Sequence, residues 1–264
     1  AGVYEPNADP TALVERLQAY AVKAAREAKR STSWLAPNEE YETALEDFIA
    51  QLFAHPERNA FVKDLAAFVE PIAFFGGINS LVMTTLKLTV PGVPDFYQGS
   101  ERLTLTLVDP DNRRPVDYEA AEMRLGRLER GELVASSHDV DAAKLKVAWS
   151  LLQARKADPD LFAKGDYRPL AVEGEHAEHV FAFARTCGER VCLVIAPRWS
   201  ARLMGGRLEW PVGEATWGDT AVVVPFAHAL RDVLGDGDFE SSGEGEHHRL
   251  RVADVLRAFP AAAL

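Results

Sequence analysis

LKLTVPGVPDFYQGSERLTLTLVDPDNRRPVDY, residues Leu86 to Tyr118, decides how the rest of this chain is read. Pro91-Gly92 signals a turn. Val93 to Tyr97 is a short apolar and aromatic run with Pro94 near its start, which predicts a strand entered from a helix. Gly99 ends it, and a loop follows that carries Asp109, Asp111, Asn112, Arg113, Arg114 and Asp117. A buried strand opening into a polar loop is how an α/β barrel presents side chains to a ligand. A buried turn tied by internal Asp–Arg pairs fits the same residues, and spacing alone leaves both open.

Upstream, Asp9-Pro10 predicts a helix start, with Asp as cap and Pro in the first turn. Leu13, Leu17, Ala21, Ala24 and Ala28 then share one face at helical spacing, and Arg16, Lys23, Arg26, Glu27, Lys29 and Arg30 share the other. A charged face is ordinarily a solvated one; it can also border a groove for a polyhydroxylated ligand. Trp34 lies in the loop Ser31 to Pro37, either as a stacking platform or as a plug beneath the loop. Asn38 caps a second helix with an apolar stripe of Tyr41, Leu45, Phe48, Ile49 and Leu52. His55-Pro56 breaks it. A third helix is expected over Glu57 to Ala73, a break at Gly76-Gly77, and a fourth helix from Asn79 that delivers the chain to Pro91.

Downstream, Tyr118 to Arg130 reads as a charged helix, and Asp141 as the cap of a longer one containing Leu145, Val147, Ala148, Leu151 and Leu152. From Asp166 the period changes. Tyr167 to Val172, His179 to Arg185, Val191 to Ala196, Glu209 to Val212, Thr220 to Val224 and His248 to Val252 predict strands of an antiparallel sheet. VFAFAR alternates with its large side chains on one face, and VCLVIAP, apolar throughout, is central. Asp232 to Glu246, rich in Gly and acids, reads as a mobile loop, and Val252 to Phe259 as a short closing helix. The expected fold class is α+β, with three parts: a helical segment over 1–90, a strand, loop and helix over 91–164, and a β domain over 165–264.

The 264 residues, near half of them apolar, suffice for one large domain or two small ones with a real core. A net charge of -11 argues against nucleic acid, which needs clustered Lys and Arg, but does not repel a neutral sugar. No apolar run approaches membrane-spanning length on this reading, and no secretory signal opens the chain. Cys187 and Cys192 read as reduced thiols of a cytoplasmic protein rather than a disulfide framework. His176/His179 and His247/His248 lack a second pair at zinc spacing, so neither metal nor cofactor is expected.

PGVPDFYQGSE resembles the last barrel strand of the α-amylase superfamily. Its continuation LVDPDNRRPVDY, together with AYAVKAAREAKRSTSWLAPNEEYETALEDF (Ala19 to Phe48) and DPDLFAKGDYRPL (Asp158 to Leu170), is similar to the maltooligosyl trehalose synthases, which isomerise the reducing end of an α-1,4-glucan to a trehalose end. The resemblance implies that 91–164 holds the last βα unit of a (β/α)8 barrel and that 165–264 is a C-terminal antiparallel β-sandwich. It also implies a fragment of a longer chain, whose remainder is the partner and carries the catalytic carboxylates, so that no catalytic residue is assigned here. The residues best suited to hold a maltooligosaccharide are Tyr97, Gln98, Asp109, Asn112, Arg113 and Arg114, with Lys23, Glu27, Lys29 and Trp34 from the helical part. At least one of Arg113 and Arg114 is expected to pair with Asp109 or Asp111. After Glu101 the family commonly has Leu-Trp-Asp, whereas this chain has Arg102-Leu103-Thr104, so one stacking tryptophan is absent. A hydrolytic member of the superfamily and a non-catalytic glucan-binding module are the competing readings.

Overall fold

The computed structural model describes residues 2–5, 9–225, 229–235, 237–244 and 247–264. The chain divides into two compact units, Ala1–Ala73 with Thr104–Val116 and Phe74–Leu103 with Asp117–Leu264.

The first unit is built on α1 (Pro10–Ala28) and α2 (Glu39–Phe53). Asp9 starts α1 by accepting from the Thr11 N–H at 2.9 Å, and Asn38 starts α2 by accepting from the Tyr41 N–H at 3.2 Å. Each cap satisfies a donor that the first turn leaves unpaired. Leu13, Phe53 and Val62 form the core with Val3, and Leu17, Leu52, Leu65 and Leu107 pack around them.

α3 (Ala60–Thr89) corrects the sequence reading. It is one helix of 30 residues, without the break expected at Gly76-Gly77. A Cβ on Gly77 would meet the Val140 methyls at 3.0 and 3.3 Å, while one on Gly76 would meet nothing. Gly77 therefore serves close packing rather than interruption. Thr84, Thr85 and Thr89 donate their hydroxyls to carbonyls one turn earlier, which lets them sit buried. Uninterrupted, α3 is long and apolar enough to cross a membrane by length and composition, contrary to the reading that split it. Here Ile78, Leu81 and Leu88 are fully buried core residues. Gly76→Ala is expected to stabilise the chain by about 0.5–1 kcal/mol through helix propensity. Gly77→Ala is expected to lose that gain to crowding against Val140. Thermal unfolding of the two variants side by side checks the contrast.

The expected strand Val93 to Tyr97 is also not formed; residues 93–97 are irregular. A strand exists only through a partner that takes its N–H and C=O groups, and no described strand pairs with this one. Side chains tether the segment instead. Lys87 donates to the Asp95 carbonyl at 3.0 Å and lies 3.6 Å from the Phe96 ring centroid, and Phe96 packs on the core.

α4 (Tyr118–Glu129), α5 (Val140–Ala157) and α6 (Pro159–Lys164) follow, capped by Asp117, Asp139 and Asp158. Asp139, not Asp141, caps α5, because Asp141 is engaged by Arg102 at 2.6 Å and by the Leu103 N–H at 2.8 Å.

Among the described residues ten strands follow: β1 (Asp166–Pro169), β2 (Val172–Glu173), β3 (Val180–Cys187), β4 (Arg190–Pro197), β5 (Ala221–Val224), β6 (Ala229–Arg231), β7 (Asp238–Glu240), β8 (Ser242–Glu244), β9 (His247–Arg251) and β10 (Ala262–Ala263). Two antiparallel four-stranded sheets run in the orders β1-β3-β4-β10 and β2-β5-β9-β8, and β6 pairs with β7. β3 and β4 pair from Val180↔Pro197 to Cys187↔Arg190. Their alternation splits two cores. Val180, Ala182, Leu193 and Ile195 join Val222, Val224 and Leu250 of the other sheet, whereas Phe183, Cys192 and Val194 join Leu81, Val147 and Leu151 of the helices. β4 is interior and almost wholly buried, as its apolar run requires.

Three details differ from the sequence reading. Residues 209–212 form no strand, since Pro211 cannot donate to a ladder and its carbonyl instead accepts from the Trp217 indole at 2.8 Å. The segment read as a mobile loop contributes β7 and β8; Asp236, Gly245 and Glu246 within it lie outside the described residues. The closing helix is only Val252–Val255. Cys187 and Cys192 are free and face Arg190 and Arg185 across the ladder, not each other. Burial pushes the Cys192 thiol up to about 12, so it is inert.

Candidate functional site

Within the first unit, α1 and the segment Thr104–Val116 come together through α1's charged face. Arg16 donates to both carboxylate oxygens of Asp111, at 2.8 and 2.9 Å, and to the Leu105 carbonyl at 2.7 Å. The Leu107 N–H donates to Asp111 at 2.6 Å, and Arg114 approaches it at 3.3 Å. These three partners fold the loop around one carboxylate. Arg16 above all holds the Asp111 carboxyl below its ordinary range, against the opposing effect of burial. Two turns further along α1, Lys23 donates to the Asp109 carbonyl, and the Asp109 carboxylate pairs with Arg113 at 2.5 Å.

Both Arg113 and Arg114 thus pair with the acids beside them. The internal Asp–Arg pairs of the turn reading are present: Asp111 is a structural anchor, while Asn112, Arg113 and Arg114 remain exposed and Asp109 partly so. A groove of about 310 Å³ runs beside them, floored by Ala19, Tyr20, Val108 and Pro110 and edged by Glu15, Arg16, Asp109 and Arg114.

One turn beyond Lys23, Arg26 makes a second fork. It donates to the two Glu42 oxygens at 2.8 and 2.6 Å, and the Thr32 hydroxyl adds a third hydrogen bond at 2.5 Å. Arg26, then Thr32, brings the Glu42 carboxyl down to about 2. The same guanidinium lies 4.9 Å from the Trp34 ring centroid. Trp34 is 55% exposed, so it is not a plug; Arg26 props it from below against the loop. Glu27 is exposed and lies 3.9 Å from the Lys23 ammonium. Lys29 closes α1 in the left-handed conformation and is exposed.

Tyr97 and Gln98 belong to the other unit. Both are exposed, in a turn closed by the Ser100 N–H on the Tyr97 carbonyl at 2.9 Å. Arg102, Asp141 and Lys144 brace that turn from below: Lys144 donates to the Arg102 carbonyl at 2.9 Å, and burial lowers the ammonium's pKa.

Arg16, Tyr20, Thr32 and Glu42 were not singled out from sequence as site residues. Arg16 was visible only as one charge on a charged face. Chemically, the arrangement offers fixed hydrogen-bond donors and acceptors and exposed aromatic faces. Asp111 is ion-paired with a depressed pKa and cannot serve as a general acid at neutral pH. Asp111→Ala is expected to cost about 2 kcal/mol by leaving Arg16 and the Leu107 N–H unpaired, and limited proteolysis within 104–116 would report the loosened loop.

No family model matches the chain. A candidate maltooligosyl trehalose synthase of Mycobacterium tuberculosis (strain CDC 1551 / Oshkosh) is 36% identical over 213 residues, covering 79% of this chain and 25% of that protein. The structure of maltooligosyltrehalose synthase from Arthrobacter ramosus superposes with a TM-score of 0.76 at 34% identity, over 95% of this chain and 30% of that one. That of a hypothetical maltooligosyl trehalose synthase of Sulfolobus tokodaii gives 0.65 at 26% identity, over 100% of this chain and 30% of that one. In sequence and in fold the chain is similar to proteins named maltooligosyl trehalose synthase, of whose length it spans only about 25–30%.

Proposed function

We propose that the chain is the C-terminal portion of a cytoplasmic enzyme that converts the reducing-end α-1,4 bond of a maltooligosaccharide into an α,α-1,1 bond. The observation that carries this is the 36% identity sustained over 213 residues with a relative of that name. On this reading 1–90 is a helical segment of the catalytic region, 91–164 is the last βα unit of a (β/α)8 barrel whose strand, not formed in this chain, needs the neighbouring strand of the longer chain as its partner, and 165–264 is a β-sandwich.

Retaining chemistry on a glycosidic bond needs two carboxylates about 5–5.5 Å apart, one as nucleophile and one as acid/base. In this reading they lie upstream of the chain. They open the terminal bond and hold the glucan covalently. The released glucose turns in place, and its anomeric hydroxyl attacks the intermediate. Water must be excluded while it turns, or glucose escapes as product. The part played by this chain is to hold that sugar. Lys23, Glu27, Asp109, Asn112, Arg113 and Arg114 supply fixed donors and acceptors, and Trp34 supplies a flat apolar face suited to a pyranose. Lys29 serves the same sugar from the rim, and Tyr97 and Gln98 are the residues that the other unit offers to a glucan. An Arg fork that is already oriented loses little entropy on taking a pair of hydroxyls.

Proton NMR of the anomeric region with maltopentaose tests the assignment. The chain alone is expected to leave the sugar unchanged over hours, while a full-length protein containing it converts reducing-end signals to an α,α-1,1 signal. Conversion by the chain alone would place the carboxylates within these residues and overturn the map.

A further inference from the structure

We propose that a cleft in the second unit, between the 128–135 turn, α5 and the 233–235 turn, is a separate binding site for a short neutral glucan. The class of ligand rests on the glucan-enzyme reading above; the site itself rests on geometry.

At about 500 Å³ the cleft is the largest of the four cavities described, and it lies wholly within one unit. That is the size range of small-molecule pockets, which combine apolar walls with a few convergent polar groups. Here the apolar surfaces are the half-buried Trp149, the buried Phe259 and the rim residue Val134; the polar groups are Lys146, Glu129 and Ser150. One cation and one anion cancel, so the lining selects neither an anion nor a cation. A flat indole beside hydroxyl, amine and carboxylate groups is the composition that receives a pyranose, whose C–H face is apolar and whose edge is all hydroxyl.

Both walls are fixed before any ligand arrives. On one side Gly131, at φ 71, permits a tight turn in which the Gly131 N–H bonds the Leu128 carbonyl at 3.0 Å and the Glu132 N–H bonds the Arg127 carbonyl at 2.9 Å. Arg130 and Glu132 pair across it at 2.7 Å. On the other side the buried Asp232 carboxylate accepts from the Leu234 N–H at 2.9 Å and the Ala263 N–H at 3.1 Å, and the Val233 N–H bonds the Ala263 carbonyl at 3.0 Å. Phe259 is held edge-on by Trp210, 5.4 Å between centroids. A preformed cleft spares the ligand the cost of ordering it. Burial raises the Asp232 pKa to about 6, and such perturbed acids gather at binding sites.

Amide NMR of the chain, titrated separately with maltotriose and with trehalose to tens of millimolar, tests the proposal. Saturable shifts are expected at Gly131 to Ala135, at Val233 to Gly235 and at the Trp149 indole. Val134→Trp, at a position 74% exposed, closes the mouth without touching the core and is expected to weaken these shifts about tenfold, as is Trp149→Phe, by loss of stacking. Trp34→Ala is expected to leave them unchanged. Absence of shifts at the cleft with either sugar overturns the proposal. So does a response confined to the surroundings of Lys23, Trp34 and Asp109, an outcome that leaves the functional reading standing. If a full-length protein fails to convert maltopentaose, the functional reading falls, while the cleft shifts still decide the cleft.

Discussion

Replacing Arg185 by leucine is expected to lower the unfolding free energy by about 4 kcal/mol, the upper end of single-residue effects. Arg185 is 1% exposed in the middle of β3 and no carboxylate pairs with it among the described residues. Its guanidinium donates instead to four backbone carbonyls: Thr89 at 2.8 Å, Phe162 at 3.0 Å, Gly165 at 2.8 Å and Asp166 at 3.3 Å. Thr89 is the last residue of α3, Phe162 lies in the last turn of α6, and Gly165 is the residue after it. These are the carbonyls that helix termini leave without partners, at the negative ends of two helix dipoles.

Two effects compete when the arginine is removed. Relief from burying a cation favours leucine by several kcal/mol at most. Orphaning the two buried carbonyls of Thr89 and Phe162, at about 1–3 kcal/mol each, together with the partly buried ones of Gly165 and Asp166, outweighs it. Arg185→Lys should fall between, because one ammonium cannot span acceptors spread over a planar fork. Arg155 adds a second cation at the same helix end, donating to the Leu88 carbonyl at 2.8 Å, and burial with the neighbouring Arg185 charge lowers its pKa. Urea unfolding at neutral pH, with unchanged m-values, provides the measurement. A loss below about 1 kcal/mol would mean that water replaces the guanidinium.

The legible parts of this fold were those written in local chemistry. Asp9 and Asn38 cap helices because each is a short acceptor at a turn of polarity, with no remote side chain on it among the described residues. Asp141 looked identical and was claimed instead by Arg102, 39 residues away. β3 and β4 were legible because alternation and continuous apolarity are direct records of one or two buried faces. The glycine pair in α3 misled because a glycine's sequence signature is the same whether it breaks a helix or admits a neighbour. Only the position of Val140 separates the two.

The candidate site was half legible. The residues of the 109–114 loop announced themselves as a cluster, and the structure gathers Lys23 onto the same loop. What sequence left undecided was the pairing: which acid is consumed by Arg16 and which stays at the surface. That depends on the approach of two segments 95 residues apart. Tyr97 and Gln98, adjacent in sequence to that loop, fold with the other unit.

Asp232→Asn is expected to flatten a pH dependence of stability that the parent chain shows between about pH 4 and 6. Asp232 is 1% exposed; one oxygen accepts two N–H groups, while the other lies against Gly235 without a well-formed hydrogen bond. Burial dominates these contacts and lifts the carboxyl from 3.8 to about 6. Between those two values the folded chain holds a proton that the unfolded chain has released. Stability therefore falls as pH rises through this window, is highest below it, and stays reduced above it. Two pKa units correspond to roughly 3 kcal/mol. Asparagine keeps an acceptor for the Leu234 and Ala263 N–H groups and cannot ionise. The variant should therefore gain up to about 3 kcal/mol relative to the parent on going from pH 4 to pH 7, whatever its absolute stability. Because Asp232 ties the 233–235 turn to the C-terminal strand, the loss is also local: amide exchange at Leu234 and Ala263 should quicken in the parent above pH 6 and not in the variant. Parallel denaturation curves for the two proteins across that range would refute the shift, since a carboxyl with an ordinary pKa would have finished titrating below pH 5.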